Sequence, residues 1–454
     1  MPRPCTAAPT HAARSASHAS NLSRLVYHVG MKNVLSTIAG VPVAELAQRY
    51  GTPAFIYDQA VIEQRISELK PFPVIRYAQK ASSNLALLAL MRRNGVLVDA
   101  VSAGEIYRAL QVGYSGETDP PGVVYTADVF DRDALEMIAA HRIPVNVGSA
   151  EMITQLGAVF PGADVTLRIN PGFGHGHSRK TNTGGEFSKH GIWHTEIEEC
   201  LRLGAEAGVN IRGLHMHIGS GTDFDHLATV CDAMVSAASR VGAQLEVISA
   251  GGGLPVPYHK DQPRIDLNAY HALWERACRA VEDIVGHPVS LEAEPGRYLV
   301  AESCSLLTEI RAVKRMGGNL FYLVDAGFET LVRPSMYGSY HEISIAPADG
   351  REISGSADVI VGGPLCESGD VFTQEEGGVV VTRRLPEARV GDYLVIHDAG
   401  AYGAAMSSNY NGRKLSPEIL VHEGVADVIR ERQTFEHMVQ FERVPERLRG
   451  QAVH

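Results

Sequence analysis

The chain has 454 residues, 45% hydrophobic and 20% charged, with a formal net charge of −11. That length exceeds one ordinary core and implies two or three domains of a globular protein. The acidic balance argues against nucleic acid or an anionic membrane as the principal partner, and no run of eighteen apolar residues is present to form a spanning helix. The cysteines, Cys5, Cys200, Cys231, Cys278, Cys304 and Cys366, include no CxxC pair. A disulfide framework or structural zinc is therefore disfavoured, and a reducing cytoplasm fits.

Residues 1–44 contain no Asp or Glu. Residues 1–30 read as a disordered or mis-assigned extension, since Met31 begins a globular-looking sequence; their composition also matches a transit-type leader. Residues 31–58, ending in Phe55-Ile56-Tyr57, are expected to join a β domain at the other end of the chain. From 59 to 304, apolar segments alternate with helical ones. The predicted strands are Val74–Lys80, Leu97–Ser102, Val123–Ala127, Pro144–Ser149, Asp164–Asn170, Arg212–Gly219, Leu245–Gly253 and Ser290–Arg297. Several are continuous Val/Ile/Leu runs, as strands buried on both faces should be. Between them, Ser102 and Glu105 form a capping box, and a stripe of Leu85, Leu88 and Ala89 ends at Gly95. Eight β/α units in about 225 residues predict a closed (β/α)8 TIM-type barrel, with an open doubly wound sheet as the competitor. The connection from 171 to 211 is long, and its first part, PGFGHGHSRKTNTGG, is expected to act as a lid or binding loop. Residues 305–454 predict an antiparallel β domain. Its expected strands are Phe321–Val324, Val359–Val361, Val379–Thr382, Tyr393–His397 and Val425–Ile429, with turns at Asp349-Gly350, Gly377-Gly378 and Gly391-Asp392.

Chemistry on a parallel barrel collects at the carboxyl ends of the strands. Lys80 at the first such end reads either as a snorkelling surface lysine or as an amine whose pKa falls on burial so that it can form a Schiff base. Gly251, Gly252 and Gly253 give either a tight turn or a close backbone approach to an anion, with Gly219 and Ser220 adding donors. Glu294 reads either as a partner for Arg297 or as a carboxylate for a pyridinium nitrogen. His217 reads as a polar residue of the barrel mouth or as a ring packed on an aromatic ligand. The His215-Met216-His217 pattern invites a metal, because alternate strand residues share a face. The other strand ends offer Lys, Ser, Gly and Arg rather than further ligands, so no metal is expected. In the β domain, Cys366 beside Glu367 reads as a polar turn or as an acid of tunable pKa. Asp398-Ala399-Gly400-Ala401-Tyr402-Gly403 is a small-residue turn presenting a tyrosine.

Taken together, RYAQKASSN, VDAVSAGE, NPGFGHGHSRKTNTGGEFSKHGIW, HMHIGSG, SAGGGLPVPY, EPGR, RPSMYGSYH, GPLCESGDVF and DAGAYGAAMSSNYN occur in one order between about residues 40 and 435. In this combination the chain resembles the fold-type III pyridoxal-phosphate decarboxylases, the alanine racemase/ornithine decarboxylase-like group, and within it the bacterial diaminopimelate decarboxylases. NYNGRK departs from the commoner NYNSRP ending without touching the chemistry. The resemblance implies pyridoxal 5′-phosphate held on Lys80, with His217 stacked on its ring and Glu294 on its ring nitrogen. It implies that Ser220, Gly252, Gly253, the segment Glu294-Pro295-Gly296-Arg297 and Tyr402 hold the phosphate and ring. Arg297, Arg333 and Tyr337, with Tyr402, would bind the substrate's distal carboxylate and Glu367 its distal amino group, and Cys366 would deliver the proton. Cys366 and Glu367 are then expected from a neighbouring subunit, which makes a homodimer. The implied reaction is decarboxylation of meso-2,6-diaminopimelate to L-lysine and CO2 in lysine biosynthesis. A decarboxylase for ornithine, lysine or arginine is the alternative.

Overall fold

A computed structural model describes residues 33–174, 184–217 and 223–449. The expected extension 1–30 lies outside them, as do residues 175–183 of the long connection and Gly219 and Ser220.

The eight predicted barrel strands are all present, most of them shorter than expected: Val74–Ala78, Leu97–Ala100, Val123–Ala127, Val145–Val147, Asp164–Asn170, Asn210–His215, Val247–Ser249 and Ser290–Ala293. Each pairs in parallel with its neighbours, and the eighth returns to the first through Glu292 opposite Val74 and Ala293 opposite Ile75. Closure excludes the open sheet. A two-residue strand, Ile192–Trp193, pairs in parallel beside the end of the fifth strand. The first strand stops at Ala78, and Lys80 sits in the 3-10 turn Gln79–Ala81 that follows.

Local signals explain the helices around the barrel. Ser102 Oγ accepts from the Glu105 amide at 3.3 Å and Glu105 Oε2 from the Val101 amide at 2.8 Å, which starts helix Ala103–Gln111. Asp266 caps Leu267–Val285, whose buried face runs Tyr270, Trp274, Ala277, Cys278, Val281 and Val285. That spacing is one helical stripe turned to the barrel. Among the described residues four cysteines are buried and Cys366 is exposed. Burial pushes the Cys231 thiol up to about 12, so it packs as a small apolar group.

The β region is built on Cys304–Met316, a strand of 13 residues that sequence patterning missed. Antiparallel to it lie Ala54–Asp58, Asn319–Val324 and Tyr393–Ile396. Ile343–Ala346 and Glu418–His422 are also strands not foreseen. The sheet departs from a purely antiparallel pattern at two pairings: Asn319–Val324 with Ser356–Gly362, and Ala54–Asp58 with Glu418–His422. Phe55-Ile56-Tyr57 thus pairs within the β region. The segment expected as strand Val379–Thr382 shortens to Val379–Val380, an exposed pair beside Gln374–Glu375. The turn from Asp398 docks on the barrel: Ala399 N–H donates to Cys304, Gly400 to Ala301 and Tyr402 to Ala81, at 2.8, 3.1 and 2.8 Å. No helix among the described residues is long and apolar enough to cross a membrane.

Candidate active site

Strand alternation sets the site. Residues two apart on a strand share a face, so Glu292 and Glu294 point the same way, as do Arg76 and Ala78. Inside the barrel, Arg76 Nε and Nη2 donate to Glu292 at 2.6 and 2.7 Å. One step nearer the mouth is Glu294, also buried. It accepts from His215 Nε2 at 2.7 Å, from Ser249 Oγ at 3.0 Å and from Asn146 Nδ2 at 3.4 Å. Burial alone would raise its pKa; the charge and hydrogen bond of His215, then Ser249 and Arg76, outweigh it and hold the carboxyl well below the usual range. The alternative pairing of Glu294 with Arg297 is not made: among the described residues neither Arg297 nor Arg333 forms an ion pair with a carboxylate.

His217 follows His215 on the same face, its ring 6.5 Å away and within 12° of parallel. Its Nδ1 accepts from the Gly252 amide at 2.9 Å. Burial first, then the positive charges of Lys80 and Arg168, push its pKa well below the ordinary value, so the ring is neutral with its proton on Nε2. The glycine run has a steric reason. A Cβ on Gly252 would sit 2.6 Å from the Glu294 carbonyl oxygen and 3.0 Å from His217, and Gly251 has φ +61°. Bare backbone is therefore required against the imidazole.

Lys80 is exposed at this mouth, so protein atoms alone do not give it the burial expected from the sequence. Its charge acts on Asp99, Glu105 and His217. Asp99 is buried, and its Oδ1 has no hydrogen-bond partner among the described residues. Burial, then the charge of Glu294, raises its pKa well above normal. Asp99, Asn146 and Ser249 were not singled out from sequence; their only signal is an inward position next to a strand's carboxyl end.

On one side of the mouth, Tyr258 gathers two guanidinium groups. Arg333 lies over its ring at 4.7 Å and Arg297 at 5.8 Å, with Arg297 Nη1 3.4 Å from the hydroxyl. Arg297 also lies 5.4 Å from the ring of Tyr402, which holds a left-handed φ of +59°. Tyr337 closes the short helix Arg333–Tyr337 and acts electrostatically on Arg297. Pro295 and Gly296 join this group to the first strand: Pro295 O accepts from the Ala78 amide at 3.2 Å, and a Cβ on Gly296 would meet Ala78 O at 3.1 Å.

Cys366 and Glu367 are not brought to this mouth. Both are exposed on the loop after Ser356–Gly362. Asp370 anchors that loop by accepting from the Phe328 and Leu365 amides, both at 2.8 Å, and Cys366 N–H donates to Asn411 at 2.9 Å. Among the described residues no group of three or more His, Cys, Asp or Glu is arranged to hold a metal.

A carboxylate, a neutral imidazole, glycine amides and a primary amine around one opening suit an aromatic aldehyde bearing a phosphate. The orphaned Asp99 oxygen and the bare Gly252 backbone mark the same opening. The fold and site are those of a barrel that binds pyridoxal phosphate, and residues 59–301 match the family model described as "Pyridoxal-dependent decarboxylase, pyridoxal binding domain". The chain belongs to that family. The diaminopimelate decarboxylase of Escherichia coli K12 is 54% identical over 399 residues, 87% of this chain and 95% of the relative. That of Streptomyces coelicolor is 54% identical over 396 residues, 87% of this chain and 90% of the relative. A crystal structure of diaminopimelate decarboxylase aligns with TM-score 0.86 and 54% identity, covering 88% of this chain and 96% of the other.

Proposed function

We propose that the chain decarboxylates meso-2,6-diaminopimelate to L-lysine and CO2, using pyridoxal 5′-phosphate. The observation that carries this choice of substrate is the pair Arg297 and Arg333, packed beside the cofactor opening with no ion pair to a carboxylate among the described residues. Removing charge from water without a counter-ion is costly, so the pair is suited to an anion that arrives with the substrate. Diaminopimelate keeps a carboxylate at the end that does not react. Ornithine has none there. The named relatives support the same reading.

When bound, the cofactor delocalises the electron pair left on the α-carbon as CO2 departs. Lys80 Nζ supplies the attachment point. The phosphate and ring would be held by the bare Gly252-Gly253 backbone, with the Gly252 amide already donated to His217, together with Ser220, the segment Pro295-Gly296-Arg297 and Tyr402. Glu294, kept ionised by His215, would accept from the ring nitrogen, and His217 would pack against the ring. Arg297, Arg333 and Tyr337, with Tyr402, grip the distal carboxylate, where a forked guanidinium fixes direction as well as energy. Glu367 takes the distal ammonium, and the Cys366 thiol donates the proton to the α-carbon. Cys366 and Glu367 are exposed and, among the described residues, make no hydrogen bond or ion pair with the mouth, which supports a homodimer whose partner completes each site. A cofactor-binding barrel of 59–304 and a β unit of 31–58 with 305–454 would then meet across the dimer, in the cytoplasm.

The test is kcat/KM for CO2 release from meso-diaminopimelate, ornithine, lysine and arginine by the purified holoenzyme. Preference for diaminopimelate is expected; preference for ornithine would overturn the assignment.

A further inference from the structure

The arginine clamp raises a physical problem that the catalytic roles do not solve. A guanidinium held away from water needs partners, yet a carboxylate partner would cancel the charge that the substrate is meant to find. Elsewhere the chain uses the carboxylate solution: Arg76 is locked to Glu292, and Arg65 to Glu68 and Glu302. At Arg333, which is 4% exposed, it does not among the described residues. Arg333 Nη1 donates instead to His341 Nε2 at 2.9 Å. Arginine can only donate, so Nε2 must carry the lone pair. The ring is set in that tautomer from the other side, because His341 Nδ1 donates to the His397 carbonyl at 2.8 Å. The His397 ring is itself tied to Ser344 Oγ at 2.8 Å, and Arg383 donates to the His341 carbonyl. Tyr258 completes the arrangement. It meets the His341 ring edge-on at 5.4 Å and 71°, and offers its face to Arg333 and its ring and hydroxyl to Arg297.

We propose that His341 and Tyr258 are positioning residues for the distal-carboxylate clamp: they hold Arg333 and Arg297 in place through neutral contacts, so that no carboxylate is bonded to the pair and its positive charge stays open to the substrate. This rests on the reading of Arg297 and Arg333 as that clamp. Burial and the neighbouring Arg333 charge keep His341 neutral, in agreement with its acceptor role. A quadrupolar ring attracts a cation without neutralising it, and a neutral imidazole accepts a hydrogen bond on the same terms. Neither residue touches the reacting carbon, so both should act on binding more than on turnover.

The experiment compares four holoenzymes with wild type on meso-diaminopimelate: Arg333→Met, His341→Leu, His341→Gln and His341→Asp. Cofactor absorbance confirms the folded site in each. His341→Leu removes the acceptor and should raise KM by about tenfold, the scale of one lost hydrogen bond to a charged group, with kcat changed by less than about threefold. His341→Asp supplies an internal counter-ion and should raise KM at least as much. His341→Gln, with an acceptor oxygen and a donor nitrogen, should recover most of the loss. An unchanged KM in His341→Leu, or a fall in kcat alone, would overturn the inference. Arg333→Met separates the two levels: if it also leaves KM unchanged, the clamp reading fails, whereas a raised KM there with an unaffected His341→Leu refutes only the positioning role. Should His341→Leu not fold, Tyr258→Phe and Tyr258→Leu decide. The first keeps the ring and should stay within about threefold of wild type in KM; the second should rise by about tenfold. Equal KM values for the two would refute the platform.

Discussion

The seam that closes the barrel offers a sharp test of what holds the site. The first and eighth strands meet through only two residue pairs, and across them Arg76 and Glu292 form a bidentate ion pair at 2.6 and 2.7 Å. Arg76 is 1% exposed and Glu292 6%. The third donor, Nη1, reaches the Pro121 carbonyl at 2.5 Å. Arg76→Met leaves a buried carboxylate without its partner, and Glu292→Leu leaves a buried guanidinium. Each should cost about 3–5 kcal/mol, because the desolvation of the surviving charge is no longer offset. For a barrel of this size that lowers the melting temperature by on the order of 10 °C. The double variant, Arg76→Met with Glu292→Leu, removes both charges and should return to within about 2 kcal/mol of wild type. Melting followed by far-ultraviolet circular dichroism reads the series, and cofactor absorbance reports the site, since Lys80 and Glu294 lie just beyond this seam. Single variants that melt within about 2 °C of wild type, or a double variant as poor as the sum of the singles, would refute the reasoning.

Lys80→Ala should abolish the visible absorbance of bound cofactor; an unchanged spectrum would place the attachment on another lysine. Gly252→Ala forces a methyl to within 2.6 Å of the Glu294 carbonyl oxygen and 3.0 Å of His217. Overpacking of about 1–3 kcal/mol should weaken cofactor binding by about tenfold or more, measured by titrating the apoprotein with pyridoxal phosphate. The carboxyl of Asp398 is raised to about 7 by burial, then by the charges of Glu302 and Glu342, which outweigh the opposing charges of Arg264 and Arg333. Its folded pKa lies above its unfolded value of 3.8, so the folded state binds the extra proton between those values. Stability through this group therefore falls as pH rises from about 4 to about 7, and the deficit is complete above that. Asp398→Asn, which also tolerates the left-handed φ of +57°, should raise the melting temperature at pH 8 and leave it unchanged near pH 4. An equal gain at both pH values would show that the carboxylate charge is not the cause.

Much of the barrel was legible because strands buried on both faces are written as continuous apolar runs, and the helices between them carry their own caps. Cys304–Met316 escaped because its buried first half mixes Ser305, Thr308 and Glu309 with apolar residues, while its second, Arg311-Ala312-Val313-Lys314-Arg315, is charged and largely exposed. Neither half repeats long enough to display one period. Glu294 was legible as a carboxylate in need of a partner, but the choice of partner was not: His215, Ser249 and Asn146 come from three other strands. Arg297, three residues on, begins a helix and turns its side chain to Tyr258 instead.

By itself the sequence determined the element order, the strand ends that carry Lys80, the glycine run and Glu294, and the chemistry those side chains allow. Those properties are local, set by period, caps and residue type. Only the tertiary structure decided which charge meets which partner: it joined Arg76 to Glu292, gave Glu294 to His215, and left Arg297 and Arg333 on an aromatic ring and a neutral histidine. Electrostatic pairing depends on distances between groups far apart in the chain, and closure of the barrel with docking of the β strands sets those distances.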